Sequence, residues 1–197
     1  SDNGATGGKG RSNGPLSGTK GTTWDGGMRE PFVAWWPGQI PSSSTSDALT
    51  STIDLLPTLA HLADAGIPTD HTLDGLNIWP ILNRPAQATS PHDYFYYYQM
   101  QQLQALRDER WKLHLPLVPK LRNWGKPEAE SPLMLFDLQA DIAESSNVAN
   151  EHPDIVERML KAAQLIRYEL GDIDIPALGR RASGWNENPE FLRMGKR

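Results

Sequence analysis

Apolar positions along the chain recur with two different periods. Ile155, Met159, Ala162, Ala163, Ile166 and Leu170 form a stripe down one side of a predicted helix. Its ends are marked as well. Pro153 suits the first helical position, Asp154 favours the positive helix end, and Gly171 stops it. Glu157 and Lys161 stand one turn apart and can pair. A second helix is predicted over residues 54–66, with Leu55, Leu56, Leu59, Leu62 and Ala63 on one face. Asp54 is its candidate N-cap, Pro57 falls in the first turn where a missing N–H costs least, and Gly66 ends it. Between the helices the pattern changes to short β-rich runs at residues 94–98, 103–108, 111–115 and 133–138. Arg107-Asp108-Glu109-Arg110 suggests a hairpin turn. Earlier, Pro31-Phe32-Val33-Ala34-Trp35-Trp36-Pro37-Gly38 is a short apolar run closed by Pro-Gly, which predicts a buried strand.

The stretches between these elements are loops of distinct character. Residues 1–30 are Gly-rich with scattered Lys, Arg, Thr and Ser. A loop longer than about 12–15 residues in a compact domain is usually functional or disordered. Residues 41–47 are Ser-rich, residues 67–92 are loop-like with a short apolar piece at 76–82, and residues 139–152 form an acidic loop. The fold class expected is α/β: residues 1–92 as the edge of an α/β domain, then a small α+β subdomain over 93–171 with a short antiparallel sheet and one packing helix, then an irregular tail over 172–197.

Composition narrows the chemistry. Hydrophobic residues make up 38% and charged residues 22% of the 197, which is globular rather than disordered. A net charge of -5 gives no broad electrostatic case for nucleic acid. No cysteine is present, so disulfides, Cys-ligated zinc and thiol nucleophiles are excluded within the chain. No run approaches the roughly 18 apolar residues of a membrane span. The first residues are polar, unlike a signal peptide, and the chain opens inside what reads as a functional loop, so more polypeptide is expected upstream.

Two segments carry candidate chemistry. In Ser1-Asp2-Asn3-Gly4, an Asp carboxylate beside an Asn carbonyl offers two hard oxygens that suit Ca²⁺ or Mg²⁺. The same tripeptide is also a common turn. In Gly18-Thr19-Lys20-Gly21-Thr22-Thr23-Trp24-Asp25-Gly26-Gly27-Met28-Arg29-Glu30-Pro31, glycines around Lys20 let backbone approach an anion while Lys20 supplies a positive charge. A flexible basic loop is the bland alternative, and the order is not that of a Walker loop, since Gly21 follows Lys20.

Together these segments resemble the type I sulfatases, the arylsulfatase-like branch of the alkaline phosphatase superfamily. That family carries a strand ending in Asp-Asn-Gly, then G-K-G-T-T-x-[DE]-G-G-x-R-x-P and a strand ending in W-P-G. Here the second motif reads GTKGTTWDGGMREPFVAWWPG. STIDLLPTLAHLADAG, LDGLNIWPIL and LMLFDLQADIAESSNVANEHPDIVERM are similar to later parts of the family, so the resemblance covers about residues 1–170. It implies the C-terminal edge of an alkaline-phosphatase-like α/β domain. It also implies a Ca²⁺ site including Asp2 and Asn3, and Lys20 as a catalytic and substrate-binding contact to a sulfate oxygen. For Asp25 and Arg29, an ion pair that holds the loop is favoured over substrate contact.

The departures matter equally. The family's formylglycine arises from Cys or Ser in a C/S-x-P-x-R motif, and Ser90-Pro91 and Ser131-Pro132 have the wrong spacing for it. The resemblance therefore implies a sulfate-ester substrate, an N-terminal half as partner that bears the nucleophile, and an inactive isolated chain. Family members are typically periplasmic, secreted or lysosomal. A phosphonate or phosphodiester hydrolase of the same superfamily is the nearest alternative. A non-catalytic module binding carbohydrate or a partner through 94–98, Trp111 and Trp124 is the other.

Overall fold

The computed structural model describes residues 2–67, 70, 72–117, 131–182 and 187. Ser1, His71, Trp124 and most of the tail beyond residue 182 lie outside them. The elements run in the order α1 (Asp25–Met28), a 3-10 turn (Thr52–Asp54), α2 (Leu55–Leu62), α3 (Trp79–Asn83), β1 (Phe95–Gln99), β2 (Gln102–Arg107), β3 (Trp111–His114), β4 (Met134–Asp137) and α4 (Pro153–Leu170).

The four strands form an antiparallel sheet in the order β1-β2-β3-β4. The hairpin between β2 and β3 closes as the charges suggest. The Asp108 carboxylate accepts the Arg110 and Trp111 amides at 2.8 and 2.6 Å. Strand periodicity alone would place Leu103 and Leu106 on opposite faces, because they are three apart. A bulge opposite Tyr97 and Tyr98 adds a residue on β2 and brings both onto one face. That face packs against α4 through Leu103, Leu106, Leu113, Leu135, Met159 and Ala163, all essentially inaccessible to solvent. α4 occupies the bounds its stripe and end signals predict, and Gly171 at φ +85° ends it in a backbone region closed to most side chains.

The other sheet face is covered as well. Every residue of β2 and β3 is buried. Tyr97, Arg107, Lys112 and His114 face the loop around Trp24 and Asp25, with the Trp24 ring 4.4 Å from His114 and 5.7 Å from Phe136. The sheet is thus a middle layer, between one helix and one loop.

Residues 28–59 differ from their expectation. The run 31–38 is no strand, and Phe32, Val33 and Trp35 are 55%, 87% and 85% exposed. A single extended segment has no ladder to join, and the four described strands pair only with one another. α2 forms but is shorter than predicted, with Pro57 and Thr58 turned inward and Leu56 and Leu59 outward. Asp54 is not its side-chain N-cap but the N3 member of a capping box with Ser51 at the preceding 3-10 turn. The Asp54 carboxylate accepts the Ser51 amide, the Leu76 amide and His92 Nε2–H at 2.7, 2.8 and 2.8 Å, which ties the following loop to the helix start. Among the described residues no helix is long and apolar enough to cross a membrane.

Candidate functional site

Two backbone hydrogen bonds bring the sequence motifs together. The Gly4 amide donates to the Gly27 carbonyl at 3.3 Å, and the Lys20 amide donates to the Ala5 carbonyl at 3.1 Å. Gly4 has no alternative: a Cβ there would sit 1.8 Å from the Gly26 carbonyl oxygen. The Asp2-Asn3-Gly4 stretch therefore lies against the loop that carries Lys20. Asn13 staples that loop internally, accepting the Ala5 amide at 2.7 Å and donating to the Gly18 carbonyl at 2.9 Å.

The predicted site residues are surface groups on this frame. Asp2 and Lys20 are exposed and Asn3 is half-buried. The Asn3 side-chain amide donates to Asp2 Oδ2 at 2.6 Å, so the two candidate ligands stand side by side. Lys20 is paired with no acidic group among the described residues, so its ammonium is available to an anion. An exposed ammonium on a tightly turned loop, with two hard oxygens on the adjoining stretch, suits an oxyanion held together with a hard cation. Among the described residues no three His, Cys, Asp or Glu cluster as a metal site.

Beneath the loop lies a group of charges that sequence reasoning missed. Asp25 and Lys112 are both fully buried and Glu144 nearly so. Lys112 Nζ donates to Asp25 Oδ1 at 2.6 Å and to Glu144 Oε1 at 2.8 Å, and lies 4.4 Å from the centre of the Tyr97 ring. Arg107 reaches Asp25 Oδ2 at 3.3 Å, and the Tyr97 hydroxyl donates to Asp25 Oδ1 at 3.3 Å. His114 Nε2–H donates to Glu144 Oε1, while Glu144 Oε2 accepts the Asp25 amide, both at 2.8 Å. Two carboxylates thus face the Lys112 ammonium and the Arg107 guanidinium, with Arg29 at the edge of the cluster.

The protonation states follow from this packing. Burial pushes the Asp25 carboxyl up, but the Lys112 ammonium, with Arg107 and Arg29, outweighs it and leaves the group below its ordinary value. Burial pulls the His114 imidazole below its ordinary value against the opposing pull of Glu144. Burial, reinforced by Asp25, pushes the Tyr97 phenol up. Asp25 is therefore the loop anchor that its motif position suggested. Its main partner is Lys112 on β3, and Arg29 lies farther off at 3.9 Å. The available signal was the alternation in Trp111-Lys112-Leu113-His114, which gives this strand a polar face as well as an apolar one.

The aromatic run considered for carbohydrate binding is committed elsewhere. Tyr97 and Trp111 are buried, Tyr94, Tyr96 and Tyr98 pack on the α4 core, and the Tyr98 hydroxyl donates to the Gly171 carbonyl at 2.8 Å.

Fold and site together define an α/β protein that presents a lysine loop and a pair of hard oxygen donors from a segment packed on the C-terminal sheet. Residues 1–65 match the Sulfatase family, and residues 90–175 match the family described as the C-terminal region of aryl-sulfatase. Arylsulfatase A of Homo sapiens is 34% identical over 170 residues, covering 77% of this chain and 32% of that protein. N-acetylgalactosamine-6-sulfatase of Canis lupus familiaris is 40% identical over 118 residues, covering 58% of this chain and 22% of that protein. A solved structure from work on glycosaminoglycan metabolism by Bacteroides thetaiotaomicron matches with a TM-score of 0.65 at 28% identity, covering 78% of this chain and 32% of that one. The chain belongs to the type I sulfatases, and its fold is that of the alkaline-phosphatase-like α/β proteins. Its matches cover between 20% and 33% of the length of these curated relatives.

Proposed function

We propose that this chain forms one wall of a site that hydrolyses sulfate esters with the help of a divalent cation, within a longer sulfatase polypeptide. The observation that carries the reading is the 3.1 Å hydrogen bond from the Lys20 amide to the Ala5 carbonyl, which sets the Asp2-Asn3 pair beside the lysine loop. Lys20 contacts a sulfate oxygen and stabilises the negative charge that grows as the S–O bond breaks. Asp2 and Asn3 would hold Ca²⁺, and that ion would supply Lewis-acid chemistry at the sulfate. The two residues fit that ion in kind but not in number, because calcium takes about six to eight oxygens. The N-terminal half of the polypeptide supplies the remaining ligands and the formylglycine nucleophile. The exposed apolar side chains of Phe32, Val33, Trp35, Leu56 and Leu59 support such a partner. The relatives' names, arylsulfatase and N-acetylgalactosamine-6-sulfatase, support aryl or carbohydrate sulfates as the substrate class.

An assay of the longer polypeptide on nitrocatechol sulfate and on a phosphonate or phosphodiester of the same aryl group tests this. Calcium-dependent cleavage with preference for the sulfate is expected, and preference for the phosphorus ester would replace the reading with a phosphonate or phosphodiester hydrolase. The isolated chain is expected to give no turnover, and measured calcium-dependent hydrolysis by it would refute the division of labour.

A further inference from the structure

We propose that the buried Lys112–Asp25–Glu144 cluster is a clasp through which the C-terminal sheet positions the Lys20 loop, making Lys112 a positioning residue for the reaction. The proposal rests on the sulfatase reading for its catalytic consequence and on geometry alone for its mechanical one.

Lys20 lies midway along a short segment gripped at four points by the later part of the chain. Before it, Ser17 Oγ–H donates to the Ala143 carbonyl at 2.6 Å. Next to it, Gln99 Nε2–H donates to the Gly21 carbonyl at 2.8 Å. After it, Thr23 Oγ1–H donates to Gln104 Oε1 at 3.0 Å, and Asp25 enters the ion cluster through both its carboxylate and its amide. The glycines flanking Lys20, Gly18 and Gly21, hold φ of +83° and +84°. Such residues give a free loop many alternative shapes, and the grips from the later part of the chain add to the loop's own bonds in selecting one of them.

The charge chemistry agrees with a positioning role. A buried ion cluster of this kind is weak as a source of net stability, because desolvation offsets much of the attraction. It is strong in direction, however. Lys112 can satisfy Asp25 from the loop and Glu144 from the 139–152 segment only when both approach one point on β3. Misplacement of a catalytic group by about 1 Å can cost on the order of a hundredfold in rate.

The test uses the charge-neutral pair Lys112→Met with Asp25→Asn, which removes one cation and one anion together. It also uses Ser17→Ala, which loosens the first grip without touching the buried charges. Amide hydrogen exchange is read in the 197-residue chain. The pair variant is expected to speed exchange of residues 17–25 by about tenfold or more, and Ser17→Ala by about twofold to fivefold, with α4 unchanged in both. Unaltered exchange at 17–25 in the folded variants overturns the clasp, as does acceleration spread equally over α4.

In the longer polypeptide, the pair variant is expected to lower kcat by about tenfold to a hundredfold with a smaller effect on KM. Adding Lys20→Ala to the pair is expected to cost no more than Lys20→Ala alone. Multiplied losses would mean that the cluster acts independently of Lys20, and would overturn the positioning role. Near-normal kinetics for Lys20→Ala alone, with the exchange result intact, would remove the sulfatase role of Lys20 and leave the clasp standing.

Discussion

Two regions of the chain solve opposite problems with similar material. Residues 93–171 bury their apolar groups: Leu103, Leu106, Leu113, Leu135 and Met159 are closed between sheet and helix. Residues 28–59 leave theirs open, with Trp35 85% and Leu59 61% exposed. Both regions carry apolar patterns that read alike in sequence. The difference lies in whether the matching surface is present. The C-terminal sheet and α4 are sequential neighbours and complete each other. In the apolar run 31–38 Trp36 packs its ring 5.6 Å from Trp79, but Phe32, Val33 and Trp35, like Leu56 and Leu59 on α2, stay exposed among the described residues. The glycine-rich loop falls between these cases, ordered where the sheet reaches it.

Replacing Lys112 alone by Met breaks the ordered region most severely. Asp25 and Glu144 would then share a buried space with Arg107 as their main cation, and loss of one partner of a buried pair costs about 3–5 kcal/mol. Urea denaturation measures it, and a loss below about 1 kcal/mol would mean the cluster is wetter than its burial indicates.

A matched pair of truncations sharpens the contrast directly. Leu113→Ala is expected to cost about 2–5 kcal/mol because it opens a cavity in a closed core. Leu59→Ala should stay within about 0.5 kcal/mol, as surface changes do. Equal losses in urea would show that α2 is covered in solution.

Acidification should weaken the ordered region in a defined direction. His114 has a folded pKa below its ordinary 6.5, so the unfolded chain takes up the proton first. Its contribution is fully present above about pH 6.5 and is lost as pH falls below that value. Asp25, depressed below its ordinary 3.8, adds a contribution that disappears only at lower pH still. The urea midpoint is therefore expected to fall from pH 7 to pH 5, with a shallower fall in His114→Gln. A midpoint that rises over that range would contradict a neutral buried imidazole.

The smallest effect belongs to the solvent-facing side of α4. Glu157 and Lys161 pair at 2.8 Å with both side chains about 70% exposed, so Lys161→Ala should leave the urea midpoint unchanged within error.

What was legible in the sequence follows the same division. The bounds of α4 and the four strands could be read because their periods, caps and turn charges are local, and their packing partners lie close along the chain. The motif glycines were legible as a tight loop. The burial of Lys112 and His114 was not, because the polar face of an antiparallel strand ordinarily meets water, and here a segment some ninety residues earlier covers it. The strand expected at 31–38 failed for the complementary reason: hydrophobicity predicts burial, but only a neighbouring strand can supply a ladder. Asp54 was read as an N-cap from its position; its carboxylate does accept the Ser51 amide in a capping box, but it also serves Leu76 and His92 from a loop that no local pattern connects to it.

The most direct test of the account is the turnover of a sulfate ester by the longer polypeptide with Lys20 replaced by Ala. If the loop held by the C-terminal sheet delivers its charge to the breaking S–O bond, kcat should fall by roughly two to three orders of magnitude while the protein stays folded. Near-normal turnover by a folded Lys20→Ala enzyme would contradict it.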